Sequence, residues 1–457
     1  MGKRQRFDND GNGVEESTDP INSTLNDMHP RNMYKDNPPN FNDLARLYPS
    51  FRPFVHGSDD DRPFIDFKNA EAVRELTYCL LKRDFNLTVT FPLDRLCPPI
   101  PNRLNYILWI EDLLTETQGQ DAKDKQIVGI DIGVGASCIY PLLGCRTNPQ
   151  WHFIGSELDE ESLEVAKANV EQNGLEDRIT LFLNKDPLRI FMLDPSIKTY
   201  DFCMCNPPFY ASEEEVQEGL ENKELEPMAA CTGTASEMIT KDGEYGFIQR
   251  MILESLRYKQ RIQWYTSMIG LKRTIRPVTQ LLKQQGITNY VVTEFCQGRT
   301  KRWGIAWSFS STRVVKSNSL EFYRPKSHFT TELPIPVSQA KIHLHTILAD
   351  LDISLPDNSS DDDVIQLSPT QNTWSRAARR LRKRQKQDET GTDQQPLPHD
   401  LVLTLECALV SSSSTSCTLQ TSWLHGDDRS VFESFWNHVK KRMEQEAGIF
   451  TGSAFQK

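Results

Sequence analysis

Short apolar runs alternate with helical stretches between residues 126 and 310. Seven runs have the length and composition of strands: 127–130, 152–156, 179–182, 201–205, 263–269, 290–294 and 304–309. Strands that alternate with helices predict a parallel sheet with helices on both faces. The last two runs are separated by only nine residues, which is too short for a helical crossover and predicts an antiparallel pair at the sheet edge. The predicted fold class is therefore α/β.

The chain before this predicted core divides into two regions by composition. Residues 1–27 are rich in Asp, Asn and Gly and have few apolar positions, which predicts a disordered tail. Residues 28–125 combine aromatic side chains with helical patterning at 71–81 and 104–114. We expect this region to form a cap on the core at 126–310.

The C-terminal third predicts a second, smaller unit after a linker at 311–330. Its elements are a strand at 333–337, a helix at 339–351, a strand pair at 401–409 and 416–423, and an amphipathic helix at 430–444. Together they predict a small α+β domain over residues 331–450. A polar and basic stretch at about 356–399 interrupts this domain, and we expect that insert to be disordered.

The predicted strand 201–205 ends in Asn206-Pro207-Pro208-Phe209. The Asn206 side-chain oxygen and the next backbone carbonyl can each accept a hydrogen bond from an exocyclic amino group, while Phe209 offers a flat face to a base. An amino group conjugated to a ring is a poor nucleophile because its lone pair is delocalised. Two acceptors aimed at its protons favour the pyramidal nitrogen of the transition state without any titrating base. The four residues therefore predict a catalytic site for methylating a planar nitrogen.

A glycine-rich loop of sequence GIDIGVGAS occupies residues 129–137, after the first predicted strand. Its glycines let the backbone approach a ligand closely, and a helix beginning near Ser137 would present its N-terminal amides. Glu157 ends the second predicted strand, 26 residues after Asp131, and an acidic residue there binds ribose hydroxyls in doubly wound nucleotide folds. The loop lacks the P-loop lysine and the third dinucleotide glycine. Adenosine without phosphate fits better, so S-adenosylmethionine is the predicted cofactor.

Composition and charge exclude several classes of protein. No stretch approaches about 18 uninterrupted apolar residues, and the N-terminus is too polar for a signal peptide, so we expect no membrane partner. The 10 cysteines are scattered and the 9 histidines show no metal-ligand spacing, so we expect neither a disulfide framework nor a metal site. The net charge is −11, but local basic clusters can still neutralise phosphates.

The densest basic cluster lies within the predicted insert, where seven of the eleven residues from 376 to 386 are Arg or Lys. Helical patterning would align several of them along a nucleic-acid backbone. A solvated helix face or a nuclear localisation run is the alternative. The candidate RNA-binding residues in this cluster are Arg376, Arg379, Arg380, Arg382, Lys383, Arg384 and Lys386.

Several segments together resemble the methyltransferase-like protein 16 family, eukaryotic relatives of bacterial enzymes that methylate adenine N6 in large-subunit ribosomal RNA. The matching segments are 31–41, 103–107, 131–137, 201–209 and 293–303. The resemblance implies a class I S-adenosylmethionine-dependent methyltransferase with a Rossmann-like seven-stranded sheet and a small C-terminal α+β auxiliary domain that binds RNA. It also implies N6 methylation of an adenosine in structured RNA, with U6 small nuclear RNA as the expected partner. The implied location is the nucleus, with the cytoplasm as a second compartment, and a monomer is assumed.

By position, the resemblance assigns roles to individual residues. Arg103 would meet the methionine carboxylate of the cofactor and Leu188 would border its adenosine. The full cofactor-binding set is Arg103, Asp131, Gly133, Gly135, Ser137, Glu157, Leu188 and Asn206. The RNA-binding positions implied outside the basic cluster are Arg31, Lys35, Pro38, Pro39, Asn40, Phe41, Lys272, Arg273, Gly298, Arg299, Thr300, Lys301, Arg302 and Trp303.

Two other functions remain open from the sequence. A protein N5-glutamine methyltransferase would use the same two-acceptor chemistry on an amide, although such enzymes usually have Tyr where this chain has Phe209. The chain could instead act mainly as an RNA-binding scaffold with secondary catalysis. Two segments also depart from the family pattern: residues 185–188, at a loop thought to gate the cofactor pocket, and the acidic loop at 211–234.

Overall fold

The computed structural model describes residues 28–57, 63–118, 125–216, 234–297, 300–315, 320–355, 363–376, 378, 380 and 403–449. These residues form a seven-stranded sheet, a four-stranded sheet and a two-stranded ribbon made of β1 (Val55–His56) and β2 (Phe64–Ile65). The predicted tail at 1–27 and much of the predicted insert lie outside the described residues.

All seven predicted core strands are present in the large sheet. They are β3 (Ile127–Ile132), β4 (Trp151–Glu157), β5 (Ile179–Leu183), β6 (Tyr200–Cys205), β7 (Ile262–Ile269), β8 (Asn289–Gln297) and β9 (Thr300–Ser308). The observed strands match or extend nearly all of the predicted runs. Hydrogen bonding to neighbouring strands continues past the apolar residues that define those runs.

The strand order is β5-β4-β3-β6-β7-β9-β8. The pairs from β5 to β7 are parallel, whereas β9 pairs antiparallel with both β7 and β8. The predicted antiparallel pair at the edge is therefore confirmed. The chain runs outward from β3 to β5 and then returns to the other side of β3 as β6. This reversal makes the gap between the ends of β3 and β6 the place where such sheets bind ligands.

The helices lie in two layers because alternate side chains of a strand point to opposite faces. On β6, Phe202 and Met204 face one layer, and Cys203 and Cys205 face the other. The first layer includes α2 (Ala70–Phe85), α3 (Ile100–Gln118), α4 (Ile139–Thr147) and α5 (Glu160–Gln172), which follow α1 (Phe41–Leu47) in the chain. After the short α6 (Ala235–Met238), the second layer contains α7 (Gly243–Tyr258) and α8 (Lys272–Gln284).

The region at 28–125 is more than a cap, because its longest helix is part of the core. Thirteen residues of α3 are buried, among them Trp109, whose ring packs edge-on against Phe295 of β8. The two helices predicted at 71–81 and 104–114 are confirmed as the central parts of α2 and α3. Burial on this scale means that the region stabilises the sheet as well as bordering the cleft described below.

The small domain combines one antiparallel sheet with two helices. Its elements are β10 (His328–Leu333), α9 (Val337–Asp350), β11 (Val364–Leu367), β12 (Leu403–Ser413), β13 (Ser416–Gly426) and α10 (Arg429–Glu446). The strand order is β10-β13-β12-β11. The strand pair and both helices predicted from the sequence are confirmed.

Two predictions for the small domain are wrong. The strand predicted at 333–337 lies earlier, at His328–Leu333, because Pro334 and Pro336 have no N–H to donate to a neighbouring strand. The insert predicted as disordered from about residue 356 contains β11 and Trp374, whose side chain is only 1% exposed. The described part of the insert thus belongs to the hydrophobic core of the small domain.

The predicted linker at 311–330 is also partly structured, since β10 begins within it. Thr312 forms a β-bridge with His425, and the buried Arg313 donates to the carbonyl of Gly426 at 2.9 Å. The Arg313 guanidinium carbon lies 4.0 Å from the ring centre of Trp423, and burial lowers the pKa of this guanidinium to about 10. These contacts fix the large sheet to the small domain.

Candidate active site

The predicted glycine loop and the Asn206 motif meet at the switch point of the large sheet. Ile132 is directly paired with Cys205, so the residues that follow them, Gly133 and Asn206, leave the sheet side by side. A cleft with about 950 Å³ of empty space opens there. Eight of its lining residues come from the two motifs and their neighbours: Ile132, Gly133, Val134, Gly135, Ser137, Cys205, Asn206 and Pro208.

The glycine loop has a backbone conformation that favours glycine at two positions. Gly133 and Gly135 have φ values of 73° and 62°, in the left-handed region that side-chain-bearing residues rarely adopt. A Cβ on Gly133 would have no atom within 4 Å, because this position faces the open cleft. The loop therefore leaves room for a ligand directly against the backbone.

Asp131 lies at the end of β3 and is 1% exposed. Neither of its carboxylate oxygens has a hydrogen-bond partner among the described residues. Burial, with a smaller contribution from the nearby Glu157, raises the pKa of Asp131 to about 8, while Arg103 opposes the shift. An unpartnered buried carboxylate is unfavourable, so a ligand with donor or cationic groups at this end of the cleft would relieve the cost.

The pH dependence of stability follows from this carboxyl group. In the unfolded chain Asp131 ionises near its ordinary pKa of 3.8, but in the folded chain it holds its proton until about pH 8. The folded state binds more protons in this interval, so stability falls as the pH rises from about 4 to about 8. We expect Asp131→Asn to remove this decline in the cofactor-free protein. Melting temperatures of both proteins between these pH values would test it, and parallel profiles would contradict it.

Glu157 ends β4 and also lines the cleft. One carboxylate oxygen accepts from the Gly135 amide at 2.8 Å, and the other accepts from Leu158 at 2.8 Å and Asp159 at 3.1 Å. Burial raises the pKa of Glu157, whereas these backbone hydrogen bonds act in the opposite direction. Glu157 thus fixes the glycine loop while its carboxylate borders the cleft, a position suited to ribose hydroxyls.

Arg103 on α3 supplies positive charge in the cleft wall. It donates to the Tyr140 hydroxyl at 2.9 Å, and its guanidinium carbon lies 5.3 Å from the Tyr140 ring centre. Its Nε has no hydrogen-bond partner among the described residues. Tyr140 was not predicted; it lies in the first turn of α4, directly after the glycine loop, and lines the cleft.

Glu237 on α6 is the second carboxylate side chain in the cleft wall, beside Glu157, and it was not predicted. It accepts from the Leu96 amide at 3.2 Å and from the Thr234 amide at 2.8 Å. Burial is the main reason that the pKa of Glu157 is raised, and the charge of Glu237 raises it further. No local pattern marks Glu237, because it reaches the cleft from a segment more than a hundred positions after the glycine loop.

Asn206 lies at the inner end of the cleft, where its Oδ1 atom is buried and has no hydrogen-bond partner among the described residues. Phe209 is half-buried at the same edge. A Cβ built on Gly270, just after β7, would lie 2.7 Å from Cδ1 of Phe209, so the ring rests against this glycine. The guanidinium carbon of Arg302 is 5.6 Å from the centre of the Phe209 ring. The acceptor oxygen thus borders the cleft, and the aromatic ring follows it three positions later along the chain, between Gly270 and Arg302.

Comparison with known proteins identifies the family. A model described as RNA methyltransferase matches residues 22–311. The Gallus gallus RNA N(6)-adenosine-methyltransferase METTL16 is 40% identical over 393 residues, covering 79% of this chain and 69% of the relative. This chain belongs to the RNA methyltransferase family. A Schizosaccharomyces pombe relative, U6 small nuclear RNA (adenine-(43)-N(6))-methyltransferase, is 39% identical over 387 residues, covering 83% of this chain and 95% of the relative.

Solved structures agree with this assignment. The human METTL16 catalytic domain in complex with MAT2A 3′UTR hairpin 1 has a TM-score of 0.58 and 43% identity, covering 64% of this chain and 99% of that domain. The N-terminal domain of human METTL16 in complex with SAH has a TM-score of 0.52 and 42% identity, covering 62% and 98%. The class I methyltransferase fold, the enzyme class and the cofactor S-adenosylmethionine predicted from the sequence are confirmed.

The residues of the cleft fit this cofactor. S-adenosylmethionine is cationic at its sulfonium and amino groups, and the cleft wall contains the carboxylates of Glu157 and Glu237, with Asp131 behind the glycine loop. Arg103 offers a guanidinium for the cofactor carboxylate. The open space beside Gly133 and the guanidinium of Arg103 are the features that such a ligand would contact.

Leu188 is not brought to the cleft. Its side chain is 73% exposed and borders a separate surface depression, whereas Pro187, Arg189 and Ile190 line the cleft. The reason is a local turn, in which the Leu188 amide donates to Asp186 at 3.0 Å. The structure thus places the neighbours of Leu188, and not Leu188 itself, at the cleft.

The predicted RNA-binding residues divide into exposed and engaged side chains. Lys272 and Arg273 begin α8 on the surface, where Arg273 is ion-paired with Glu215. Arg31 forms ion pairs with Glu111 at 2.5 Å and Asp112 at 2.6 Å. Lys35 and Pro39 are half-buried, and Pro38, Arg376 and Arg380 are exposed.

Four further predicted RNA-binding residues have structural contacts. Asn40 caps α1 by accepting from the amides of Asn42 and Asp43, and Phe41 packs edge-on against Phe51. Lys301 is ion-paired with Glu294 at 2.9 Å. Trp303 is only 7% exposed and donates to Glu294 at 3.0 Å, so its ring is packed in the core rather than offered to a base. Thr300 begins β9.

Several predicted RNA-binding positions lie outside the described residues: Gly298, Arg299, Arg379, Arg382, Lys383, Arg384 and Lys386. Within the described ranges, no group of three or more His, Cys, Asp or Glu side chains could hold a metal ion. No helix in the same part of the chain is long and apolar enough to cross a membrane.

Proposed function

We propose that this enzyme transfers a methyl group to N6 of an adenosine in structured RNA, with U6 small nuclear RNA as its substrate. The observation that carries this proposal is the buried, unpartnered Oδ1 of Asn206 beside the cofactor cleft. A buried acceptor without a donor is costly, and an exocyclic amino group would satisfy it. The relatives named for RNA N(6)-adenosine and U6 small nuclear RNA support the substrate class.

In this mechanism the chain positions the amino group and does not deprotonate it. When bound, S-adenosylmethionine would supply the methyl group: the sulfur–methyl bond would break as the N6–methyl bond forms, leaving a neutral thioether, and the methylated N6 would then lose one proton to solvent. Asn206 Oδ1 and the Pro207 carbonyl would accept the two N6 protons, and Phe209 would stack on the everted adenine. The acceptors stabilise the developing positive charge on N6. Pro207 and Pro208 fix the backbone between the acceptor and the ring, since proline restricts φ.

Charges near Phe209 suit an RNA backbone. Arg302 lies over the ring, and Lys272 and Arg273 are exposed at the start of α8, which follows Gly270. Arg273 is held at the surface by an ion pair with Glu215, and Lys301, next to Arg302 in the chain, is held by an ion pair with Glu294. Exposed ion pairs contribute only about 0–1 kcal/mol, so phosphates can replace the carboxylates. We propose this surface, and the described Arg376 and Arg380, as RNA contacts.

The direct test is transfer of tritiated methyl from S-adenosylmethionine to synthetic U6 RNA by the purified full chain. The expected product is N6-methyladenosine in the nucleoside digest. Label that resists ribonuclease and is removed by protease would instead favour the glutamine-methyltransferase alternative. Binding of RNA without any transfer would favour the scaffold alternative. We infer a nuclear location from the same substrate assignment, and the cytoplasm as a second compartment stays a prediction.

The stacking role of Phe209 makes a separate prediction. Phe209→Ala is expected to weaken the everted state of the target adenine by about 1–3 kcal/mol, the contribution of one base–aromatic stack. The single-turnover methylation rate at saturating cofactor should therefore fall, and cofactor affinity should not change. Phe64→Ala is the comparison, because it removes an exposed aromatic side chain of β2 that is not among the predicted site residues. An unchanged single-turnover rate in Phe209→Ala would refute the stacking assignment.

A further inference from the structure

Helix α7 carries two glutamates that bind the two walls of the active site. Near its first turn, Glu244 accepts hydrogen bonds from the backbone amides of Gly270 and Leu271. Ten positions later, Glu254 accepts from the amides of Ile190 at 2.8 Å and Phe191 at 3.3 Å. Ile190 lines the cofactor cleft, whereas Gly270 supports Phe209. One helix thus holds the cofactor side and the proposed base side separately.

Glu244 is only 2% exposed, which is unusual for a carboxylate. Besides the two amides, it forms a side-chain hydrogen bond with Thr274 on the first turn of α8. Burial raises its pKa, and these hydrogen bonds lower it. The carboxylate therefore fixes the turn between β7 and α8 at Gly270 and Leu271, where the chain passes beneath the Phe209 ring.

The contact between Gly270 and Phe209 transmits the position of this turn to the ring. A Cβ on Gly270 would lie 2.7 Å from Cδ1, 2.8 Å from Cε1 and 3.1 Å from Cγ of Phe209. These atoms belong to the ring and its attachment point, so the ring has no room to approach the turn. Any shift of Gly270 toward or away from the cleft must therefore move the ring or open a gap beneath it.

The charge of Glu244 also influences Arg302, the cation that lies over the Phe209 ring. Arg302 lies over Phe209, and burial lowers the pKa of its guanidinium. The charge of Arg103 lowers that pKa further, while Glu244 and Tyr210 raise it. Glu244 thus partly offsets the repulsion between Arg302 and Arg103.

We propose that Glu244 is a positioning residue for methyl transfer, which fixes the Phe209 ring through Gly270. The inference deepens the proposed function and rests on it, because it concerns the ring on which the target adenine stacks. Glu244 does not line the cleft, so it acts through these neighbours and not on the reacting atoms. A purely structural capping role for α8 would predict lower stability with a normal turnover number in the folded fraction.

Three variants of the full chain separate these roles. Glu244→Gln keeps the shape of the side chain but removes its charge and one of the two oxygens that accept hydrogen bonds from the backbone amides. Gly270→Ala leaves Glu244 intact and pushes a methyl group against the ring. Glu254→Gln is the matched control, because it makes the same change on the same helix at the cofactor wall. Each variant is assayed for kcat, for the KM of RNA, for cofactor affinity and for melting temperature. A separate RNA with 2-aminopurine at the target position reports how the everted base stacks.

For Glu244→Gln and Gly270→Ala we expect kcat to fall by about 10- to 100-fold, the loss produced by a displacement of about 1 Å in an active site. The 2-aminopurine signal of the bound RNA should change, and cofactor affinity should not. Glu254→Gln should weaken cofactor binding and leave the 2-aminopurine signal as in the wild type. A lower kcat and a changed 2-aminopurine signal in Gly270→Ala, at the wild-type melting temperature, would support the Phe209 ring as the group that transmits the effect.

Two outcomes would overturn the proposal. The first is a wild-type kcat and 2-aminopurine signal in both Glu244→Gln and Gly270→Ala. The second is a loss in Glu244→Gln that matches its unfolded fraction while Gly270→Ala remains fully active. Failure of the proposed function is distinguishable, because the wild-type enzyme itself would then not methylate RNA.

Discussion

Replacing Asn206 by alanine is expected to lower the turnover number for RNA methylation by about 10² to 10³, with nearly normal affinity for RNA. That magnitude is typical of losing one hydrogen-bonding group that acts in the transition state, and it corresponds to about 2.7–4 kcal/mol. The reason lies in the buried, unpartnered Oδ1 atom at the end of β6. Alanine removes the acceptor for one N6 proton without changing the backbone.

The matched variant is Asn206→Asp, which keeps an acceptor oxygen at the same position. It should retain more activity than Asn206→Ala because the N6 proton still has an acceptor. Single-turnover rates, RNA affinity and cofactor affinity should be measured for both variants. A large loss of RNA affinity in Asn206→Ala, with an unchanged rate at saturation, would contradict the assigned role. Equal loss in the two variants would show that something other than the acceptor oxygen matters.

Replacing Trp374 by alanine is expected to destabilise the small domain by about 3–5 kcal/mol, the usual cost of removing a large buried aromatic side chain. The indole packs edge-on against Phe435, and its N–H donates to Ser434 at 3.0 Å. Both partners lie on α10, so this side chain attaches the segment after β11 to the C-terminal helix. Urea denaturation followed by tryptophan fluorescence and circular dichroism would measure the change.

Val364→Ala is the control for that experiment. Val364 lies on the same segment, in β11, but half of its surface is exposed. Surface substitutions usually change stability by less than about 0.5 kcal/mol, so this variant should unfold like the wild type. If Trp374→Ala were equally harmless, the segment at 363–376 would not be part of the domain core, and our original prediction of a disordered insert would be restored.

The strands of the core could be predicted because their signals are local. Seven apolar runs of strand length separated by helical patterns leave few alternatives to a parallel sheet, and a connection of nine residues excludes a helical crossover. The small domain was harder to predict because β11 has only four residues and lies beside a long polar and basic stretch. Its burial depends on partners in β12, which begins 36 residues after β11 ends.

The candidate site was likewise only partly predictable. The glycine loop, Glu157 and the Asn206 motif each follow a strand, so the rule for parallel sheets places them at one edge. Leu188 and Trp303 were assigned from family position, and the structure turns one outward and buries the other. Sequence position specifies which residues are near a site, but the direction of each side chain depends on local turns and on packing.

The sequence by itself determined the parallel core, its antiparallel edge, the cofactor class and the acceptor motif, since each depends on residue types and spacing within a short segment. Only the tertiary structure decided that Glu237 joins the cofactor cleft and that Glu244 supports Phe209 through Gly270. These contacts join segments that are distant in the chain, and burial makes each of them energetically significant. The physical reason is that a carboxylate far along the chain shows no pattern of its own until folding brings backbone amides to it.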